Sequence, residues 1–231
     1  MLSPIDYLLW FASALLEVVV VYCAVRTMAL RWYLTLTLNM LFAFLINVAR
    51  FVVFYHYGYR SLEYKYAYYY SDAVWTILLY FSIMGLYQAT FEEMGVSQQI
   101  RRGSMLLLGA TAIISYLLVR QHDSQLTSRF VVELSQNLYF VGVVLTYMLW
   151  GALLKMRETR TRLVQLVLAL GIYFSASAGA YALRNMYPSL AIAKMIPPLA
   201  GTFLPAAWAY TFWKVPEHAR LAAARLALRT R

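Results

Sequence analysis

Residues Tyr33–Tyr55 read YLTLTLNMLFAFLINVARFVVFY and carry a single Lys or Arg, Arg50, and no Asp or Glu in 23 positions. A helix needs about 20 consecutive apolar residues to cross the hydrocarbon core of a bilayer. A helix on the surface of a soluble domain has one face made of charged and polar residues. This run is too apolar to form such a face. The stretch therefore predicts a membrane-spanning helix in an all-α, polytopic membrane protein.

The composition of the whole chain supports the same class. Of its 231 residues 62% are hydrophobic and 13% are charged, whereas about 25% of the residues in soluble domains are charged. Cys23 is the single cysteine, so no intrachain disulfide contributes to the fold. We interpret the net charge of +10 as an orientation signal and expect the bilayer, not nucleic acid, as the partner of this surface.

Six further apolar runs accompany the first, each bounded by charged or turn residues. Together they make residues 1–213 a predicted seven-transmembrane-helix bundle. Residues 214–231 are predicted to be a basic cytoplasmic tail, which suits either an amphipathic helix on the inner leaflet or a frayed basic anchor. The seven predicted spans are Ile5–Val25, Tyr33–Tyr55, Tyr68–Thr90, Gly103–Val119, Phe130–Leu154, the run after Arg162 that ends near Leu183, and Leu190–Trp213.

The distribution of Lys and Arg predicts the orientation of the bundle. Connections one, three and five together with the tail hold thirteen of the twenty basic residues, and the opposite side holds five. Because basic residues concentrate in cytoplasmic loops, we expect the N-terminus outside and the C-terminus inside, in a bacterial inner (plasma) membrane. The remaining two, Arg50 and Lys194, lie within spans.

Charged residues inside a span are costly and need a partner, water or a function. By a rise of about 1.5 Å per residue, Arg50 and Asp72 lie at matching depth, about 9 and 10 Å outside the membrane centre. We predict an ion pair between them, with Glu133 and Lys194 about 11 to 14 Å out, so that four charges form an outer polar layer. This layer either locks the helices together or lines a ligand site.

Glu17 differs because the same arithmetic places it within about 3 Å of the membrane centre, with no Lys or Arg at its level. A carboxyl group there is expected to hold its proton. Asp6, Trp10, Ser13 and Glu17 form one polar stripe, and a gapped stripe on helix two can face it. The two stripes predict either a hydrogen-bonded seam or a hydrated crevice among helices one, two, three and seven. The gapped stripe consists of Thr35, Asn39, Asn47 and Arg50.

Helices six and seven carry small and helix-bending residues. Gly171, Ser175 and Gly179 follow at steps of four, a spacing that favours close packing of helices. Helix seven contains Pro197, Pro198 and Pro205 together with Gly201. We therefore expect it to be bent, with the freed carbonyl groups satisfied inside the bundle.

Signals for catalysis and cofactors are weak. The three histidines, His56, His122 and His218, lie at or beyond span ends, whereas a transmembrane haem site usually takes histidines from two helices. The sequence contains no HExxH, no GxSxG and no phosphate-binding loop. We expect a non-enzymatic protein without a cofactor or metal.

The outer end of helix three reads YAYYYSDAVW over residues 66–75, followed by TILLYFSIMGLYQATFEEMG. This aromatic stretch is similar to that of uncharacterised bacterial seven-transmembrane-helix proteins. The overall layout resembles the seven-helix input modules of some bacterial sensor kinases. The resemblance implies a seven-helix architecture and a sensory role, but no transferable chemistry.

Two functions follow as hypotheses. The first is a sensor-like protein or accessory subunit with a polar site toward the outer face and a partner protein at the basic inner loops and tail. The alternative is a small proton-linked transporter of three-one-three span architecture, with helices one to three and five to seven as parallel repeats. The residues predicted to bind a ligand or form the polar network are Glu17, Asn39, Asn47, Arg50, Asp72, Glu133 and Lys194.

Overall fold

The computed structural model describes residues 4–91, 97–120, 126–156, 160–187, 191–217 and 219. These residues confirm the predicted all-helical fold. A short 3₁₀ turn, Ala29–Arg31, joins the first two helices. The seven α-helices of the described ranges are α1 (Pro4–Arg26), α2 (Leu34–Tyr57), α3 (Leu62–Phe91), α4 (Ser97–Arg120), α5 (Leu126–Lys155), α6 (Thr161–Met186) and α7 (Ala191–Lys214).

Six of these helices, α1 to α6, are long and apolar enough to cross a membrane. Large apolar side chains such as Leu8, Leu106 and Met148 are more than half exposed, as expected where a helix faces acyl chains instead of water. The chain is therefore a multi-pass membrane protein. α7 is not among the six, and it contains Pro197, Pro198 and Pro205. The seventh span and the orientation of the termini stay predictions.

The third helix begins earlier than the sequence predicted. α3 starts at Leu62, six residues before the expected start at Tyr68. The cause is a cap, because the Ser61 hydroxyl accepts a hydrogen bond of 3.0 Å from the backbone N–H of Tyr64, and such a cap satisfies one of the free amides in a first helical turn. The tyrosines that follow Ser61 therefore stand on a helix rather than in a loop.

Six helices close into a ring in the order α1, α2, α3, α5, α6 and α7, with α7 packed against α1. α4 lies outside this ring against α5 and, less extensively, α3. Large side chains with no more than 1% of their surface exposed lie between the packed helices, among them Tyr80, Phe174, Trp208 and Phe212. Burial of these aromatic residues stabilises the packing of the bundle.

Hydrogen bonds bring several helix ends together at one end of the bundle. Arg160, just before α6, donates to the carbonyl of Ala89 near the end of α3 at 3.1 Å, and Thr161 N–H donates to Ala219, beyond α7, at 3.2 Å. The helices thus run alternately up and down. We call this the inner end, and the end that holds the connection Gly58–Ser61 the outer end, after the predicted orientation.

Close packing at small residues involves only part of the predicted face. A Cβ atom added to Gly171 would lie 2.9 Å from the Thr146 methyl group of α5, and one added to Gly142 of α5 would overlap the Phe174 ring of α6. A Cβ atom on Gly179 would meet nothing within 4 Å. α5 and α6 therefore approach closely at Gly171 and Gly142, and Gly179 takes no part.

Candidate outer polar site

Asp72 lies in the outer half of α3, with its carboxylate directed toward α6. The side chain is half-buried, and the Tyr181 hydroxyl of α6 donates to Oδ2 at 3.1 Å. The guanidinium groups of Arg50 and Arg184 lie near enough to interact electrostatically with this carboxylate. The carboxylate therefore has polar and charged neighbours on α2 and α6.

The predicted ion pair between Arg50 and Asp72 is wrong for these described residues, because the two side chains make no salt-bridge contact. Arg50 Nε instead donates to Ser71 Oγ at 2.6 Å, and Nη2 donates to the Tyr68 carbonyl at 3.3 Å. The guanidinium also lies 4.5 Å from the centroid of the Tyr68 ring, within the range of a cation–π interaction. A positive and a negative group thus stand side by side, each turned to other partners.

Beneath Asp72, aromatic side chains of three helices form a hydrogen-bonded floor. Trp75 Nε1 donates to the Tyr173 hydroxyl at 2.9 Å, and the hydroxyl oxygens of Tyr139 and Tyr173 are 3.5 Å apart. The rings of Tyr139 and Tyr181 lie 5.5 Å apart. Tyr139 and Tyr173 are buried, at 3% and 5% exposure, so the polar neighbourhood of Asp72 ends at a packed layer.

We call this group of side chains the outer site. Its members come from α2, α3, α5 and α6; Arg50 and Asp72 were predicted as site residues, and the aromatic ones were not. A usable signal was present in α6, where Tyr173 and Tyr181 are eight residues apart and thus lie on similar faces of one helix. The outer site consists of Arg50, Tyr68, Asp72, Trp75, Tyr139, Tyr173 and Tyr181.

The other two predicted members of the outer layer, Glu133 and Lys194, stay predictions. Glu133 of α5 is half-buried. Lys194 belongs to α7, but its side chain lies outside the described residues. Among the described residues, no group of three or more His, Cys, Asp or Glu side chains could hold a metal ion.

The second polar group is a seam between α1, α2 and α7, as the stripes predicted. Asn47 Nδ2 donates to both carboxyl oxygens of Glu17 at 2.8 Å, and Glu17 is only 4% exposed. The Ser13 hydroxyl lies 3.3 Å from Glu17 Oε1 and also 3.3 Å from the Gly201 carbonyl oxygen of α7. Glu17 is thus fixed to two neighbouring helices without a contact ion pair among the described residues.

The remaining stripe residues of α2 extend this seam toward the inner end. Thr35 lies against Gly85 of α3, where an added Cβ atom would overlap the threonine side chain. Asn39 is 1% exposed, and neither of its side-chain amide atoms has a hydrogen-bond partner among the described residues. Buried amides normally have partners, so the Asn39 amide is an exception among the described residues.

At the inner end, Arg162 of α6 holds the segment that follows α7. Arg162 is 3% exposed, and its Nε donates to the Val215 carbonyl at 2.7 Å. Its Nη1 pairs with Glu217 Oε2 at 3.0 Å, and the Tyr33 hydroxyl donates to Glu217 Oε1 at 3.1 Å. We call these three side chains, Tyr33, Arg162 and Glu217, the inner clamp; the sequence had placed Arg162 among the loop cations.

The chain matches no protein-family model, no curated protein and no solved structure. The chemistry of the outer site and of the Glu17 seam therefore has to be inferred from the residues themselves.

Proposed function

We propose that this multi-pass protein is a non-enzymatic receptor-like or accessory membrane subunit whose outer site binds a small polar ligand. The observation that carries the proposal is the separation of the Arg50 and Asp72 charges. Both residues are half-buried at the same end of the bundle, yet each is held by neighbours other than its opposite charge. Ionisable residues in a membrane domain are rare and expensive, and they commonly mark functional sites.

The geometry favours a ligand that carries both charges. A zwitterion can place an ammonium group at the Asp72 carboxylate and a carboxylate at the Arg50 guanidinium. Each contact would be a charge-assisted hydrogen bond, the stronger kind in proteins. The rings of Tyr68 and Tyr181 beside these charges provide apolar walls with polar edges. A purely anionic or purely cationic ligand would use only one half of the site.

A thermal unfolding experiment with three matched probes tests this proposal. Free glycine supplies both charges, methylammonium only the positive one, and acetate only the negative one. A ligand at a hundredfold excess over its Kd stabilises the folded state by about 2.7 kcal/mol. We expect free glycine to raise the Tm of the purified protein in micelles by several degrees, and the other two probes to have smaller effects.

The controls are Asp72→Asn and Arg50→Gln, which remove one charge each and keep most of the side-chain volume. We expect both variants to lose the response to free glycine. If both variants respond to free glycine as the wild type does, or if none of the three probes shifts the wild-type Tm, the outer site does not bind small zwitterions.

The inner end offers a surface for a partner protein under the same proposal. Six cations at this end are exposed in the described residues and lie outside the inner clamp. An anionic lipid surface or an acidic partner protein is attracted by such a group of charges. In a signalling or accessory role in a bacterial inner membrane, ligand binding at the outer site would change the conformation of this inner face. The six cations are Arg26, Arg31, Arg101, Arg102, Lys155 and Lys214.

A second candidate function is a small proton-linked transporter, favoured by the order of the helix ring. α1 to α3 and α5 to α7 form successive halves of the ring, with α4 outside it, as in three-one-three architectures with parallel repeats. Glu17 would be the proton-linked carboxyl group. Uptake into proteoliposomes that depends on pH and is abolished by Glu17→Gln would favour this candidate over the receptor.

A further inference from the structure

The starting observation is a missing hydrogen bond in α7. In an α-helix the carbonyl of residue i accepts from the N–H of residue i+4, and proline has no N–H. Pro205 therefore leaves the carbonyl of Gly201 without its helical partner. The Ser13 hydroxyl of α1 lies 3.3 Å from this carbonyl oxygen, so a side chain of a neighbouring helix replaces the lost donor.

The same hydroxyl also lies 3.3 Å from Oε1 of Glu17. A serine hydroxyl has one proton to donate, so it can serve Gly201 or Glu17 but not both at once. The state of the Glu17 carboxyl group decides between them. A carboxylate only accepts hydrogen bonds, whereas a protonated carboxyl group can also donate one.

We propose that Glu17 is a proton-binding site that controls the bend of α7 through Ser13. With a proton on Glu17, the carboxyl O–H donates to Ser13 Oγ, and Ser13 donates to the Gly201 carbonyl. Without that proton, Ser13 turns its O–H to the carboxylate, and the Gly201 carbonyl has no donor in the membrane interior. Asn47 Nδ2 donates to the carboxyl group in both states. The proton taken up or released is exchanged with water, and no other group changes its charge.

An unpaired carbonyl in a dry interior costs free energy, so deprotonation weakens the attachment of α7 to α1 at the hinge. The two halves of α7 are held differently. Toward the inner end, Trp208 and Phe212 are fully buried, and Trp208 Nε1 lies 3.4 Å from the Leu166 carbonyl of α6. Toward the outer end, Met195 and Leu199 are half exposed. The outer half is therefore the part that moves.

Other titratable groups near α1 do not reproduce this arrangement. Arg50 of α2 interacts electrostatically with Glu17. The ionisable groups of α7 with described side chains lie toward its inner end. The cation of the 3₁₀ turn lies at the same end. The side chain of Lys194 is outside the described residues. These groups are Tyr210 and Lys214 of α7 and Arg31 of the turn.

Spin-label distances between α1 and α7 test the proposal in micelles, where no transport or ligand is needed. The labelled pair is Leu8→Cys with Met195→Cys, both at exposed positions toward the outer end, in a Cys23→Ala background. Met195 is six residues from Gly201, an arm of about 9 Å, and a change in bend of about 20° moves its end by about 3 Å. We expect this outer distance to be longer at about pH 9 than at about pH 5, because the higher pH favours the deprotonated carboxyl group.

Two variants give opposite expected results. In Glu17→Gln the amide can donate to Ser13 at any pH, so the outer distance should stay short. In Ser13→Ala the Gly201 carbonyl has no donor at any pH, so the distance should stay long. A control pair toward the inner end, Tyr22→Cys with Tyr210→Cys, should keep one distance throughout and shows that each variant is folded.

Three results would overturn the proposal. They are a wild-type outer distance that is equal at both pH values, a Glu17→Gln variant that responds to pH like the wild type, and a Ser13→Ala variant that keeps the pH response. Because Glu17 is shared with the transporter candidate, the measurement is made without flux. A pH-dependent hinge in a protein without uptake would refute transport alone.

Discussion

Replacing Arg162 by alanine is expected to be among the most destabilising single changes in the described part of the chain. Arg162 is buried, and its removal takes a donor from the Val215 carbonyl and an ion-pair partner from Glu217. Its guanidinium also lies 5.9 Å from the Phe212 ring centroid. Breaking a buried ion pair by deleting one partner costs about 3–5 kcal/mol. Because the Glu217 side chain is 37% exposed, we expect a loss of about 3 kcal/mol.

Reversible unfolding in mixed micelles measures this loss. Glu217→Gln keeps the shape of the inner clamp and removes only a partly exposed charge, so it should cost less than about 1 kcal/mol. The control Arg102→Ala removes an exposed cation of α4 and should change stability by less than about 0.5 kcal/mol. If Arg162→Ala is as mild as Arg102→Ala, the segment after α7 is not held by the inner clamp.

The second large effect is expected at Asn47. This residue donates to both oxygens of Glu17, each at 2.8 Å, and Asn47→Leu leaves that carboxyl group in the interior without its main donor. An unsatisfied buried acceptor costs about 1–3 kcal/mol, and more when it is charged. We expect a loss of about 2–4 kcal/mol in the same unfolding measurement.

The double variant Glu17→Leu with Asn47→Leu tests whether that loss comes from the unsatisfied carboxyl group. Removing both polar partners of a hydrogen bond is often nearly neutral, so the double variant should recover most of the stability. Asn137→Leu is the matched control, since Asn137 donates to the neutral hydroxyl of Ser115 at 2.9 Å and its loss should cost about 1 kcal/mol. A double variant as unstable as Asn47→Leu alone would contradict a role for the unsatisfied carboxyl group.

The sequence predicted the spanning helices well because a bilayer imposes a length and an apolarity that can be read residue by residue. It also placed Glu17 and Ser13 on one face of α1, because a helix has a fixed period. The start of α3 was missed because a local cap decides it. Ser61 begins the helix, and the apolar pattern carries no sign of this hydrogen bond.

The outer site could be predicted only in part. The rise per residue gives the height of a residue along a helix, but it does not give the direction in which the side chain points. Arg50 and Asp72 were placed at one level, yet Ser71, one residue away and about 100° around the helix, receives the Arg50 hydrogen bond. The aromatic floor and the inner clamp join residues 98 and 55 positions apart. Such pairs follow from the packing of whole helices, which a single sequence does not specify.

Arg50 and Asp72 interact electrostatically but form no contact ion pair, and we propose that both charges are kept for binding. A double-mutant cycle with Arg50→Gln, Asp72→Asn and the double variant measures their coupling free energy in unfolding experiments without ligand. We predict a coupling below about 1 kcal/mol, toward the low end of the range of about 0.5–3 kcal/mol for interacting residues, because Arg50 acts on Asp72 without a contact and the two side chains hold other partners. A coupling of about 2 kcal/mol or more would mean that the two charges form a structural ion pair, and it would contradict the proposed site.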